Sequence, residues 1–180
     1  MRSISTRKLG SYIKQVDVRN NAFQENLLLG VSTEKKFINS IANTNGTDWS
    51  RYKIIKKGQF CYIPDTSRRG DKIAIALLEE YESALVSQAY TVFELTDQTA
   101  FDARYLMLWF KRSEFDRLAR FKSHGSVREI FSWEKLCDLD VPCPSIEEQR
   151  KIVNEFKIIE NRIRLKEEIN SNLTGFGYFC

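Results

Sequence analysis

The chain has 180 residues, 42% hydrophobic and 12% aromatic, which is enough to close a core and excludes intrinsic disorder. Lys and Arg number 28 against 24 Asp and Glu, a net charge of +4 that leans mildly toward polyanionic partners. With 3 Pro and 8 Gly, the sequence is neither collagen-like nor dominated by linkers.

Taken in chain order, the first features are a strong turn signal at Asn45-Gly46 and a strand candidate, Gln59 to Ile63, bounded by Gly58 and Pro64. Ile73 to Leu78 is a short apolar run with β-branched members, and Leu85 to Leu95 alternates loosely and is rich in β-formers. A helix is predicted from about Asp102, the N-cap, to about Phe121, with Tyr105, Leu108, Phe115 and Leu118 toward one side. The mixture reads as α+β: a domain containing a mixed or antiparallel sheet, followed by a long C-terminal amphipathic helix.

That helix carries the clearest local signal. Ser145-Ile146-Glu147-Glu148 is a capping box, and Pro144 blocks extension backward. Ile152, Phe156, Ile159 and Ile163 then follow at steps of four, three and four, an a/d seam widened by Val153, Leu165 and Ile169. Glu147/Lys151, Glu160/Arg164 and Arg164/Glu168 stand at i,i+4 on the outer face. Lys166 and Asn170 end the seam after two heptads, so docking on its own domain and pairing with a partner helix are both open. The chain divides into 1–144, 145–173 and a tail, 174–180. Residues 1–144 carry 22 basic and 18 acidic side chains and the rest 6 of each, so the excess charge lies in the first part.

Catalytic and metal sites find little support. Cys61, Cys137, Cys143 and Cys180 lack paired close spacings and His124 is the only histidine, so neither zinc nor a disulfide framework is expected, and no cofactor is implied. Pro64-Asp65 could open a nuclease metal site, but the only downstream acid-x-Lys triplet, Glu155-Phe156-Lys157, falls on the C-terminal helix. A methyl-transfer clamp would need a glycine-rich loop and a Pro-Pro pair; the chain has no Pro-Pro and no phosphate-binding loop. The apolar runs are too short to cross a bilayer and residues 1–10 lack an apolar signal region, so a soluble cytoplasmic protein is expected.

The basic clusters are more informative. Residues 111–128 hold Lys111, Arg112, Arg117, Arg120, Lys122 and Arg128 against Glu114 and Asp116. A second cluster, Thr66 to Lys72, contains Arg68, Arg69 and Lys72, and a third is Lys53, Lys56 and Lys57. Such loops suit DNA: phosphates take point charges and hydroxyls, and Arg can grip guanine with two bonds. Solvated charged faces of no special function have the same composition.

Pro142-Cys143-Pro144-Ser145-Ile146-Glu147-Glu148-Gln149-Arg150-Lys151-Ile152-Val153 resembles the Pro-x-Pro…Glu-Gln…Ile-Val junction of type I restriction–modification specificity subunits. Lys8-Leu9-Gly10, Leu29 to Ser32, Lys57 to Ile63, Leu85 to Phe93 and Gly125-Ser126-Val127-Arg128 resemble further family motifs in the family's order, covering roughly Arg7 to Leu165. The resemblance implies a non-catalytic subunit that reads a bipartite DNA site through a target recognition domain. It would direct separate methyltransferase and motor-endonuclease subunits. By this analogy Arg68, Arg69, Lys72, Lys122, Ser126 and Arg128 would face double-stranded DNA, and the helix would act as spacer and partner-docking element. A full family member has two recognition domains and two such helices, and this chain has one of each. Burial of Ile152, Phe156, Ile159 and Ile163 against a second copy would rebuild a two-headed reader as a homodimer. The rival expectation is an interaction protein that binds methyltransferase subunits and regulates assembly without reading DNA.

Overall fold

The computed structural model describes residues 5–22, 24–40, 48–65, 72–123 and 129–175, with side chains to 172. The Asn45-Gly46 turn signal lies outside the described residues.

The strands are β1 (Thr6–Lys8), β2 (Ile13–Val16), β3 (Val18–Arg19), β4 (Leu29–Val31), β5 (Phe37–Asn39), β6 (Lys53–Lys56), β7 (Phe60–Tyr62), β8 (Ile75–Leu77), β9 (Ser83–Val86), β10 (Thr91–Leu95) and β11 (Asp140–Pro142). One sheet has the order β2-β10-β7-β8, a second β3-β6-β9, and β4-β5 and β1-β11 form two-stranded pairs. All these pairings are antiparallel. The helices are α1 (Ala103–Phe110), α2 (Ser113–Ser123), α3 (Trp133–Cys137) and α4 (Ile146–Gly175).

Strands β7, β8 and β10 of the four-stranded sheet are largely buried on both faces, and the side-chain period of two sorts their residues between two cores. Phe60, Tyr62, Ile75, Phe93 and Leu95 point into an aromatic core with Phe101, Phe110, Phe115 and Phe131. Cys61, Ala74, Ala76 and Val92 point the other way, against Leu29, Val31, Ile55 and Val86. Opposite each other in register, Phe60 and Phe93 stack with ring centroids 4.9 Å apart. Small residues on one face and aromatics on the other let the second sheet approach closely while the helices cover the larger rings.

Two sequence expectations need correction. The run Leu85 to Leu95 is not one strand: β9 and β10 are separated by a turn closed by the Tyr90 amide on the Ser87 carbonyl at 3.0 Å. The predicted helix Asp102–Phe121 is two helices, broken at Lys111-Arg112. An unbroken helix would set Phe110 and Phe115 roughly 140° apart around its axis. The break brings both rings into one core, with centroids 4.9 Å apart. Asp102 does cap α1, accepting the Arg104 and Tyr105 amides at 2.9 and 3.1 Å.

Gly10 explains its own motif. A Cβ there would lie 2.7 Å from Cys137 Cβ and 3.1 Å from the Cys137 carbonyl oxygen, so the first turn packs directly on α3.

Candidate nucleic-acid interface and helical junction

Arg68, Arg69, Ser126 and Arg128 lie outside the described residues, as does His124. The chain on either side of these two segments is described, and it converges. Asp65, before the first segment, bridges antiparallel to Ile130, after the second, and the Phe131 amide donates to the Pro64 carbonyl at 2.9 Å. Ile73, after the first, donates its amide to Asp116 Oδ1 at 3.1 Å, on the helix that leads into the second. The described residues that flank these segments are therefore joined, Pro64-Asp65 to Ile130-Phe131 by backbone pairing and Ile73 to α2 by the largely buried Asp116 carboxylate.

Asp116 is a residue that sequence reasoning missed. Its Oδ1 also takes the Lys35 ammonium at 2.6 Å, and Lys35 stands 4.9 Å from the Phe115 ring centroid. Burial lowers the Lys35 pKa, and the hydrogen bond and charge of Asp116 oppose that fall. Nothing local in the sequence pairs two residues 81 positions apart.

The basic clusters are less open than their composition suggests. Lys72 pairs with Glu34 at 3.5 Å and Lys122 with Asp138 at 3.1 Å. Lys111 pairs with Glu160, and Arg112 and Arg117 both with Glu114. These partners are at the surface, where ion pairs contribute about 0–1 kcal/mol and exchange readily for another anion. Lys53 belongs to no surface cluster: its side chain is mostly buried and its ammonium donates to the Tyr90 carbonyl at 2.8 Å. On α2, beside Lys122, Phe121 is 77% exposed, an apolar ring in a charged neighbourhood.

At the other end, Ser145 caps α4, its hydroxyl accepting the Glu148 amide at 3.3 Å. Gln149 is buried and satisfied: Oε1 accepts the Asp102 amide at 2.9 Å, and Nε2 donates to the Ala100 and Pro144 carbonyls at 2.8 and 2.9 Å. The Gln of the Glu-Gln motif thus ties α4 to the start of α1. The domain takes Val153, while the seam stays open: Ile152 and Phe156 are each 41% exposed, Ile159 54% and Ile163 52%. Ile158, Leu165 and Ile169 are exposed too. Of the expected outer-face pairs, Arg164–Glu168 forms at 2.9 Å, whereas Glu160 turns to Lys111 and Lys151 to Glu155.

Among the described residues there is no cluster of three metal-binding side chains and no helix long and apolar enough to cross a membrane. Burial raises the thiol pKa of Cys61, Cys137 and Cys143, which makes them poor nucleophiles. Asp65 sits in its bridge to Ile130, and Glu155 and Lys157 lie on α4.

Residues 18–174 match the model of the type I restriction modification DNA specificity domain. The chain belongs to that family. Its fold is similar to the HsdS subunit from Thermoanaerobacter tengcongensis, with a TM-score of 0.62 at 19% identity over 93% of this chain and 44% of that one. It is also similar to the type I restriction-modification S subunit from M. genitalium, with a TM-score of 0.56 at 15% identity over 95% of this chain and 42% of that one. A third likeness is to a chain from work on assembly and conformational transition of the type I R-M system, with a TM-score of 0.59 at 12% identity over 98% and 44%. This specificity-domain chain spans less than half the length of each of these relatives. No curated protein matches it.

Proposed function

We propose that this chain is a sequence-specific DNA-binding specificity subunit that reads one half of a bipartite site and carries out no catalysis itself. Residues 1–144 form the target recognition domain, 145–173 the spacer and partner helix, and 174–180 a tail. Arg68, Arg69, Lys72, Lys122, Ser126 and Arg128 face double-stranded DNA. A methyltransferase subunit and a motor-endonuclease subunit supply the chemistry, and a second copy of the chain supplies the other half-site.

The observation that carries this reading is the contact between the described residues that flank 66–71 and 124–128. Described residues from two stretches far apart in sequence meet, at Pro64-Asp65/Ile130-Phe131 and at Ile73/Asp116. Reading base edges requires donors held in fixed register, and the pairing of the described flanks supports that reading. The exposed seam on α4 supports the partner assignment, because isolated helix faces of this size are rarely left to water.

A second reading has an observation of its own. Lys72 and Lys122 are both engaged by carboxylates, which favours a chain that binds methyltransferase subunits through α4 and regulates assembly without reading DNA. Co-purification with the methyltransferase subunit, followed by mapping of methylated bases, separates the two. Methylation confined to one interrupted sequence is expected. Co-purification with no sequence preference, and no selective duplex binding, would leave the assembly-regulator reading.

A further inference from the structure

Among the described residues, the long helix is held to its domain over its first few turns, by Gln149 and Val153 near the root and by Lys111 further out. At the root, Gln149 spends its whole amide on Asp102, Ala100 and Pro144, and the Tyr105 hydroxyl adds a bond to the Pro142 carbonyl at 3.2 Å. Further out, Lys111 reaches Glu160 at 3.3 Å and lies 6.0 Å from the Phe156 ring centroid. Past that point a cleft of about 740 Å³ opens between Phe37, Leu77 and Tyr81 of the domain and Ile163, Arg164 and Glu167 of the helix.

Leverage makes the root matter. From Gln149 to Gly175 the helix extends roughly 39 Å at about 1.5 Å per residue. A tilt of about 10° at the root would then displace the far end by ~7 Å, about two base-pair steps. The root hydrogen bonds are directional and Gln149 is fully buried, where an unmade bond cannot be replaced by water, so the angle is tightly specified. The Lys111–Glu160 pair is more exposed and sets a weaker second constraint.

We infer that Gln149 is a positioning residue that fixes the angle at which α4 leaves the domain, and thereby the gap between the two half-sites that a pair of chains accepts. The inference rests on the proposed two-headed reading of DNA. It assigns to Gln149 something a general structural role would not: control of half-site separation without control of half-site sequence.

The test uses Gln149→Leu, which removes the partner of the Asp102 amide and the Pro144 carbonyl and leaves the Ala100 carbonyl only the Cys143 thiol, and Lys111→Met, which removes the outer constraint and preserves the packed root. Labels at Lys57 and Asn170, on chains diluted into unlabelled protein, report the domain-to-helix distance. Duplexes with fixed half-sites and gaps of varied length, selected by the methyltransferase complex, report spacing. Both variants are expected to broaden the distance distribution. Wild type should prefer one gap over its neighbours by about tenfold and Gln149→Leu by less than about threefold, with Lys111→Met between the two, since DNA distortion makes up the rest. Half-site preference should not change. An unchanged distance distribution in Gln149→Leu, or altered distances with an unchanged gap preference, overturns the inference while leaving the DNA-reading function intact. A wild-type complex with no preferred gap overturns the bipartite reading itself, and the inference with it.

Discussion

Lys35 and Asp116 form an ion pair 2.6 Å long with side chains only 5% and 13% exposed, and the same carboxylate oxygen holds the Ile73 amide. Breaking such a pair from one side leaves a buried uncompensated charge, at about 3–5 kcal/mol. Lys35→Met should lower unfolding free energy in urea by about that much. Lys35→Met combined with Asp116→Asn removes both charges and keeps an oxygen for Ile73. It should recover at least about 2 kcal/mol. A double variant no more stable than Lys35→Met would show that the pair is held by something other than charge.

Asp138 holds two lysines at once, Lys8 at 2.8 Å and Lys122 at 3.1 Å. Hydrogen bonds from Lys8 first and Lys122 second keep its carboxyl below the usual carboxylate range. A depressed acid contributes stability that is present above its unfolded pKa and lost as pH falls through its folded pKa. Asp138→Asn should therefore flatten the acid limb of the stability curve. It also releases Lys122, so DNA binding should tighten and its salt slope should steepen by about 1. Unchanged salt dependence would remove Lys122 from the DNA-facing set.

Gly10→Ala tests the contact beneath the first motif. The added methyl meets Cys137 at 2.7 Å, with the neighbouring carbonyl at 3.1 Å, so the turn and α3 must separate. A loss of about 1–3 kcal/mol is expected, as for overpacked cores. Gly10→Ala combined with Cys137→Gly should regain part of it, and thermal melts would register both changes.

The parts of this molecule legible in its sequence are those whose cause is local. Ser145 and Asp102 announce helix starts because capping needs only a side chain and the amides two or three residues on. The run Leu85 to Leu95 misled because strands buried on both faces lose the polar alternation that would have marked the turn at Ser87–Tyr90. The break at Lys111-Arg112 has no proline or glycine to signal it; the packing of Phe110 on Phe115 requires it. The candidate site was only half legible for the same reason. Its basic residues are visible as composition, but the carboxylates that engage them, Asp138 for Lys122 and Glu160 for Lys111, come from other elements. Gln149 was visible only as part of a motif, and its three partners give that motif a physical content.

Arg128→Ala addresses base reading directly. If this arginine grips a base edge with two bonds, selectivity at one position should relax and affinity for the preferred site fall by about 1–3 kcal/mol. Competition binding across single-base variants of the site measures both. An equal loss on every sequence would reduce it to a phosphate contact.

The two apolar stripes of α4 should behave differently. Ile152, Phe156, Ile159 and Ile163 fall within about 60° of arc, next to the face that docks Val153, whereas Ile158, Leu165 and Ile169 lie roughly 130° further round. Two helices pairing through one seam can bury the first stripe or the second, but not both. The first is favoured for a second copy because its four members keep a/d spacing and lie on the stretch of helix that its own domain already steadies through Gln149 and Lys111. Ile159→Asp would bury a carboxylate against apolar partners, so it should abolish dimers in light scattering while the monomer keeps its melting transition. Leu165→Asp, on the other stripe, should leave the dimer intact. A wild-type chain that stays monomeric at high concentration, or dimers lost with Leu165→Asp and kept with Ile159→Asp, would reject the first stripe as the seam between copies.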